Sequence, residues 1–255
     1  MIRPPAECED TNVPVFLGCT VRKAVEVQAV ALQERAIRTR RTILAAAAAV
    51  FAEGGYEAAT ISEILNRAQV TKGALYFHFA SKEELAQAIL ADQLSSVPMP
   101  PDRDLVLQQG LDYTYLLAYM LSRGDPMVQG SVRLTVEVGH PHDGLDRKVP
   151  MAGWIEFNTA TLTRAKENGE LLSHVDVDDT ARMFVAAFTG TQLLSKIMTG
   201  HADLVERVAD IERHLMSSIA VPAVLVQLDM APDRATRVYE EIMRSREQTE
   251  AIATG

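Results

Sequence analysis

The sequence predicts an all-α protein, and three observations carry that expectation. Apolar residues recur at i, i+3 and i+4 in segment after segment, the spacing that gathers them on one side of a helix. Capping residues, glycine pairs and prolines punctuate those segments. No stretch convincingly shows the alternation of a half-buried strand, and there is no internal repeat.

In chain order, the first helix is expected from about Arg35 to Glu53, with Ile43, Leu44, Ala47, Val50 and Phe51 facing inward and Gly54-Gly55 ending it. Thr60 to Phe79, TISEILNRAQVTKGALYFHF, reads as two short helices joined by a tight turn. Thr60 caps the first, Glu63 completes a capping box, and Ile61, Ile64 and Leu65 supply its apolar face. Ala68-Gln69-Val70 is short enough for a helix-turn-helix bend, with Val70 plugging the angle. Thr71 caps the second helix, whose first turn is Lys72-Gly73-Ala74. A cation, a hydroxyl and two nearly bare residues let that backbone approach base edges and phosphates, so the segment points to DNA. Phe77 and Phe79, near its end, are expected in the core.

Ser81 to Glu84 forms another capping box and opens a helix through Leu85, Ala88 and Ile89 toward Leu94; VPMPPD then breaks the chain. Asp104 to Leu121 aligns Leu107, Leu111, Tyr115 and Ala118. Asp125-Pro126 starts a helix carrying Val128, Ser131, Leu134 and Thr135. Gly139 to Lys148 is a polar loop. Pro150 suits the first turn of a helix with Trp154, Phe157, Thr161 and Leu162, closed by Asn168-Gly169. Asp178 to about Met198 places Ala181, Phe184, Val185, Phe188 and Gln192 on one face, and Asp203 to Ile219 does so with Leu204, Val208, Ile211 and Leu215. Asp233 to Ile252 is a terminal amphipathic helix.

Composition narrows the classes. An apolar fraction of 47% supports a large core, while no run of about eighteen apolar residues suggests a membrane span. The opening residues, MIRPPAECEDTNVPVFLGC, lack the charged-then-apolar order of a signal peptide, so a cytoplasmic location is expected. Cys8 and Cys19 both fall in this leader and read as incidental thiols. Residues 33–82 hold seven Lys/Arg against four acids, a net +3, whereas the remainder carries −12 of the overall −9. Positive charge therefore sits where phosphates would be met, and the acidic bulk disfavours indiscriminate nucleic-acid coating. His140, His142 and Asp143 have no matching second cluster, so neither a metal nor another cofactor is expected. No GxSxG, HExxH or P-loop motif occurs, which argues against an enzyme.

VTKGALYFHF, preceded by TRRTILAAAAAVFAEGGYEAATISEIL and followed by SKEELAQAIL, resembles the N-terminal domain of TetR-family transcriptional repressors over Gln33 to Ala88. DPMVQGSVRLTVE, VPMAGW and VAAFTGTQLLSKIMTGHADLVERVADIERHLM are similar to the γ-butyrolactone and butenolide autoregulator receptors, extending the likeness over most of Gln33 to Arg246. The resemblance implies three parts: an N-terminal extension over 1–32, expected to be disordered, a helix-turn-helix DNA-binding domain over 33–80, and a helical ligand-binding and dimerisation domain over 81–255. Lys72 is the implied base contact, most naturally to guanine, and Gly73 and Ala74 keep the helix close to the groove floor. Thr71, Tyr76, His78 and Lys82 are implied phosphate contacts, with Arg38 and Arg41 on the flanking backbone. The two late helices are implied to pair with the same helices of a second copy, since reading a palindrome needs a twofold mate.

The implied effector is a small lactone or butenolide. Gln93, Gln129, Trp154, Thr159, Thr189 and Gln192 are its candidate contacts: an aromatic floor and a few neutral polar groups suit an uncharged amphiphile. From composition alone these residues say only that there is an apolar pocket. Arg133 is expected to pair with Glu137. The implied function is a homodimeric repressor of secondary-metabolite genes, released from operator DNA by its signal. An antibiotic-sensing pseudo-receptor or efflux regulator is the alternative.

Overall fold

In a computed structural model, the described residues are 15–137 and 143–254, with side chains described for 32–137, 143–249 and 251. His140, His142 and Cys8 lie outside them, as does the side chain of Cys19. Eleven helices are described: α1 Val15–Ala58, α2 Ile61–Ala68, α3 Lys72–His78, α4 Lys82–Ala91, α5 Val106–Ser122, α6 Pro126–Val136, α7 Lys148–Glu167, α8 Val177–Thr199, α9 Leu204–Ile219, α10 Pro222–Leu225 and α11 Arg234–Thr254. An isolated bridge between Leu171 and Ala220 is the β-type pairing among the described residues. No helix there is long and apolar enough to cross a membrane.

The chain divides into two compact units after Thr42. In the first, α1 is already helical from Val15, which departs from the expectation of a disordered extension over 1–32. The segment VRKAVEVQAVALQERA contains neither Gly nor Pro and is rich in helix formers, so local propensity favours the helix.

In the second unit, α1 breaks at Gly55, whose φ of 78° lies in the left-handed region that suits glycine. The caps at Thr60, Thr71, Ser81 and Asp125 fall where the sequence places them, and α8 is capped two residues earlier than expected, at Asp176. Thr60 accepts from the Glu63 amide and Glu63 reaches back to Thr60, while Thr71, Ser81, Asp125 and Asp176 each cap a following helix with a side-chain oxygen. Ile43, Phe51, Ile64, Leu75, Phe79, Leu85, Ile89 and Leu90 form one apolar cluster. By packing, therefore, the helix-turn-helix unit extends through α4 rather than stopping at residue 80, because the inner face of α4 closes its core. A second cluster, built on Leu111, Tyr115, Leu116 and Leu121 of α5, takes in α7, α8, α9 and α11.

Two buried carboxylates in this second cluster are fully engaged. The Glu170 carboxylate accepts from the amides of Val106 and Leu107, both at 2.9 Å, capping α5 from outside the helix. Fully buried Asp112 accepts from Arg103 at 2.6 Å and Arg234 at 2.7 Å, and Arg103 also grips Glu241. That network ties α11 to α5.

α6 belongs to both clusters. Leu134 packs with the helix-turn-helix core, whereas Val128 and Val132 pack with the other. Arg133 Nη1 donates to the carbonyls of Ala52 at 2.8 Å and Glu53 at 2.9 Å, closing the end of α1. Its expected pairing with Glu137 is present at 3.9 Å, and Glu137 also accepts from the Tyr56 amide at 3.1 Å. Gly130 lies so close to α1 that a Cβ there would collide with the backbone carbonyl of Ala48, which cannot rotate away. Gly130→Val is expected to lower stability by about 1–3 kcal/mol in urea denaturation, because overpacking against backbone has no soft side chain to displace.

Candidate functional site

Two surfaces carry the candidate residues. The first is α3. Leu75 faces the core and the backbone N–H of Phe79 closes the helix onto the Leu75 carbonyl, so the opposite side is free to point outward. Thr71, Lys72 and Gly73 are exposed, as is Tyr76, and His78 is half-buried. The Lys72 ammonium lies 5.8 Å from the Tyr76 ring centre. A Cβ at Gly73 would meet nothing within 4 Å, so the protein interior does not demand glycine there. Arg38 is exposed on the first unit.

Two readings on this surface change. Phe77 is 80% exposed rather than core, its ring set edge-on to His78 at 5.0 Å. It stands two residues from buried Leu75, about 200° around the helix, and so faces away from the core. Lys82, expected on phosphate, is spent within the fold. Its Nζ donates to the carbonyls of Tyr56 at 2.8 Å and Ala59 at 3.1 Å, and it sits 4.4 Å from the Tyr56 ring centre. Unmet carbonyls after the α1 break attract the nearest cation, and Lys82 at the start of α4 is within reach.

The second surface is a chamber walled by α5, α6, α7 and α8, with about 660 Å³ of space between its side chains, mouth included. Trp154 lines it, with the Tyr113 ring 5.8 Å and the Phe157 ring 6.2 Å from the indole. Tyr113 donates to the Leu94 carbonyl at 2.6 Å, and burial pushes its phenol up to about 12. Phe184, Val185 and Phe188 of α8 complete the apolar walls. Gln93, Thr189 and Gln192 line it as expected, joined by Thr114, Thr135 and Asn158.

Gln129 and Thr159 do not line the chamber. Gln129, in the first turn of α6, turns back and donates to the Leu121 carbonyl at 3.2 Å, closing α5. Thr159 is one residue past Asn158, and the 100° step between neighbours carries it off the lining face.

Glu212 of α9 went unforeseen. It lines the chamber at 5% exposure, and its Oε2 has no hydrogen-bond partner. Gln93 Oε1 is likewise buried and unpartnered. Burial alone pushes the Glu212 carboxyl up to about 8, so at neutral pH it is chiefly a protonated acid. The face of α9 that the sequence suggested is correspondingly rotated: Glu212 and Met216 are buried, whereas Ile211 and Leu215 are half-buried. A glutamate between charged neighbours in ERVADIERH carries no sequence signal of burial.

α8 has a second apolar face. Leu194, Ile197 and Met198 are 61–72% exposed, with Leu193 beside them. Phe184, Val185 and Phe188 point into the chamber, so the apolar residues of α8 divide between an inner wall and an outer ridge. Among the described residues no group of three metal-ligating side chains gathers, and Asp143 is paired with Arg147.

Residues 43–89 match the bacterial regulatory proteins of the tetR family, and residues 106–222 match the tetracyclin repressor-like C-terminal domain. The A-factor receptor protein of Streptomyces griseus is 40% identical over 234 residues, 88% of this chain and 82% of that protein. This chain belongs to the TetR family. As a TetR regulator it is a DNA-binding protein and not an enzyme. The crystal structure of full-length TylP, a TetR regulator from Streptomyces fradiae, is 63% identical with a TM-score of 0.79, covering 82% of this chain and 99% of that one. CprB from Streptomyces coelicolor, solved with its biological operator sequence, is 30% identical with a TM-score of 0.60, covering 81% and 99%.

Glu212 gives this TetR protein a pH signature. Its carboxyl sits at about 8 when folded against an ordinary 4.5. Between those values the unfolded chain has released the proton that the native state keeps. Its contribution is therefore fully present below about 4.5 and is lost as pH rises toward 8. Glu212→Gln is expected to gain thermal stability relative to wild type as pH climbs through that window, measured as the difference in Tm without ligand.

Proposed function

We propose that this protein is a homodimeric, ligand-released repressor that reads a pseudo-palindromic operator through α3 and takes an uncharged γ-butyrolactone or butenolide into its chamber. The carrying observation is the double duty of α6. Val132, Thr135 and Val136 line the chamber, and Gly130, Arg133 and Glu137 face α1 and the segment that follows it. A ligand that displaces the lining side of α6 must disturb its α1 side, because neither Gly130 nor Arg133 has slack. The shift needs only that ligand favours one of two arrangements, on the order of 5 kcal/mol for near-complete release.

For the DNA side, glycine at position 73, where the interior places no demand, suits a helix tip that must lie against a groove. Lys72 is the base-reading residue, Ala74 keeps the tip close, and Thr71, Tyr76 and His78 lie against phosphate. Arg38 adds a backbone contact. Two such tips in a dimer meet half-sites about 34 Å apart or a multiple of it. The outer ridge of α8 suits the pairing surface. On this reading the protein is cytoplasmic and sits on the nucleoid when operator-bound.

For the effector, the relatives supply the class: a receptor named for A-factor, and the γ-butyrolactone receptor structures, 30% identical with a TM-score of 0.58 for one of them. An aromatic chamber with no cationic side chain among its lining residues favours an uncharged molecule over an anion. Release would switch on genes of antibiotic production.

Lys72→Ala is expected to weaken operator binding by about 1–3 kcal/mol in a fixed-salt gel-shift titration, and unchanged affinity removes it from the reading tip. Trp154→Ala is expected to hold operator within about threefold of wild type. It should also need at least about tenfold more lactone for half-release by fluorescence anisotropy. Release at wild-type lactone concentration would take the chamber out of the mechanism.

A further inference from the structure

We propose that Glu212 is the polar anchor of the chamber, donating its carboxyl proton in a hydrogen bond to the ester or ketone oxygen of an uncharged ligand and turning away ligands that carry a carboxylate. This rests on reading the chamber as the effector site, and it assigns a role that no sequence pattern suggested.

The geometry isolates this side chain from any counter-charge. Glu212 also borders a smaller, separate cavity lined by Thr114 of α5, Asn158 and Thr161 of α7, Phe184 of α8 and Met216 one turn along α9. None is charged. The titratable neighbour on α5 is Tyr115, itself buried with an unpartnered hydroxyl. Arg213, next along α9, is exposed and paired with Asp210. Glu212 Oε2 therefore faces no cation and no donor in the free protein.

A buried polar atom without a partner costs about 1–3 kcal/mol, and the fold meets that need elsewhere: Glu170 and Asp112, equally deep, are fully engaged. Glu212 is left unmet where it lines the chamber. As a protonated acid it offers one O–H donor. Gln93, the other unpartnered lining group, offers an amide that can present oxygen or, turned over, NH₂. A ligand with one acceptor oxygen and one hydroxyl satisfies both. A carboxylate finds no cation among the lining residues and sits beside a group that must stay protonated. A primary amine, an ammonium at neutral pH, would pair with Glu212 only after the carboxyl released its proton to water.

The test is calorimetry at pH 7 on the full-length dimer with four probes of matched carbon number: an alkyl γ-butyrolactone, its ring-opened hydroxycarboxylate, an acyclic methyl ester and a primary amine. Wild type is expected to bind the lactone and the ester, and the carboxylate at least about tenfold more weakly. Glu212→Gln, which keeps a donor, should stay within about threefold for the neutral probes and narrow the rejection of carboxylate. Glu212→Leu should lose about tenfold or more for both neutral probes. Circular dichroism and Tm confirm that each variant is folded.

Neutral probes that bind Glu212→Leu as tightly as wild type overturn the proposal. So does an amine that binds tightest and is lost in both variants, which would make Glu212 a counter-ion. Failure of wild type to bind either neutral probe also overturns it. If the ester binds in a Glu212-dependent way and the lactone does not bind, the anchor stands and the lactone reading of the chamber fails.

Discussion

The close seating of α6 on α1 is the constraint on which the rest depends. A helix with a glycine pressed against a neighbouring backbone and an arginine fastened to that neighbour's terminal carbonyls cannot slide without breaking several contacts together. Its opposite face is chamber wall. The residues on the two faces interleave at helical spacing, 130, 133 and 137 against 132, 135 and 136, so one rigid rod reports to both sides. Packed interiors pass displacement on because they have no free volume to absorb it. The polar ties that fasten α5 to α11 lie at a different place in the fold, and they hold the scaffold against which α6 can move.

The chamber is distinguished by what it leaves undone. Elsewhere in the fold the buried carboxylates of Glu170 and Asp112 are met by amides or guanidinium groups, and Thr60 and Glu63 cap α2. Gln93 and Glu212 are the lining residues of the chamber left with an unpartnered buried oxygen. An apolar cavity alone would bind many greasy molecules with little discrimination. Two polar atoms with fixed positions and no partner impose a pattern on whatever enters, because a poorly matched guest leaves them unpaired in a medium of low dielectric.

Much of this was legible in the residues. The capping boxes at Thr60 and Ser81 and the Asp125-Pro126 start place helices within a few positions, since caps act through local geometry that tertiary context seldom overrides. Trp154, Gln93, Thr189 and Gln192 reach the chamber as expected. Two of the misses come from helical azimuth. Thr159 falls one step beyond the lining face, and Phe77 turns outward because Leu75 fixes the inner side of α3. Lys82 and Gln129 were lost to carbonyls at helix ends, a demand that becomes visible once the neighbouring helix is placed. Glu212 was hidden by its type. A glutamate on an amphipathic helix reads as solvated, and the rotation of α9 that buries it is set by packing against α5 and α8.

The bare ridge at the end of α8 has a consequence for the cell's supply of this regulator. Leu194, Ile197 and Met198, left in water, make an unmated subunit sticky, the kind of surface that chaperones hold and proteases inspect. Pairing through this ridge, as proposed, would hide it, so that subunits accumulate as couples. At low synthesis the pool of pairs then rises roughly with the square of expression.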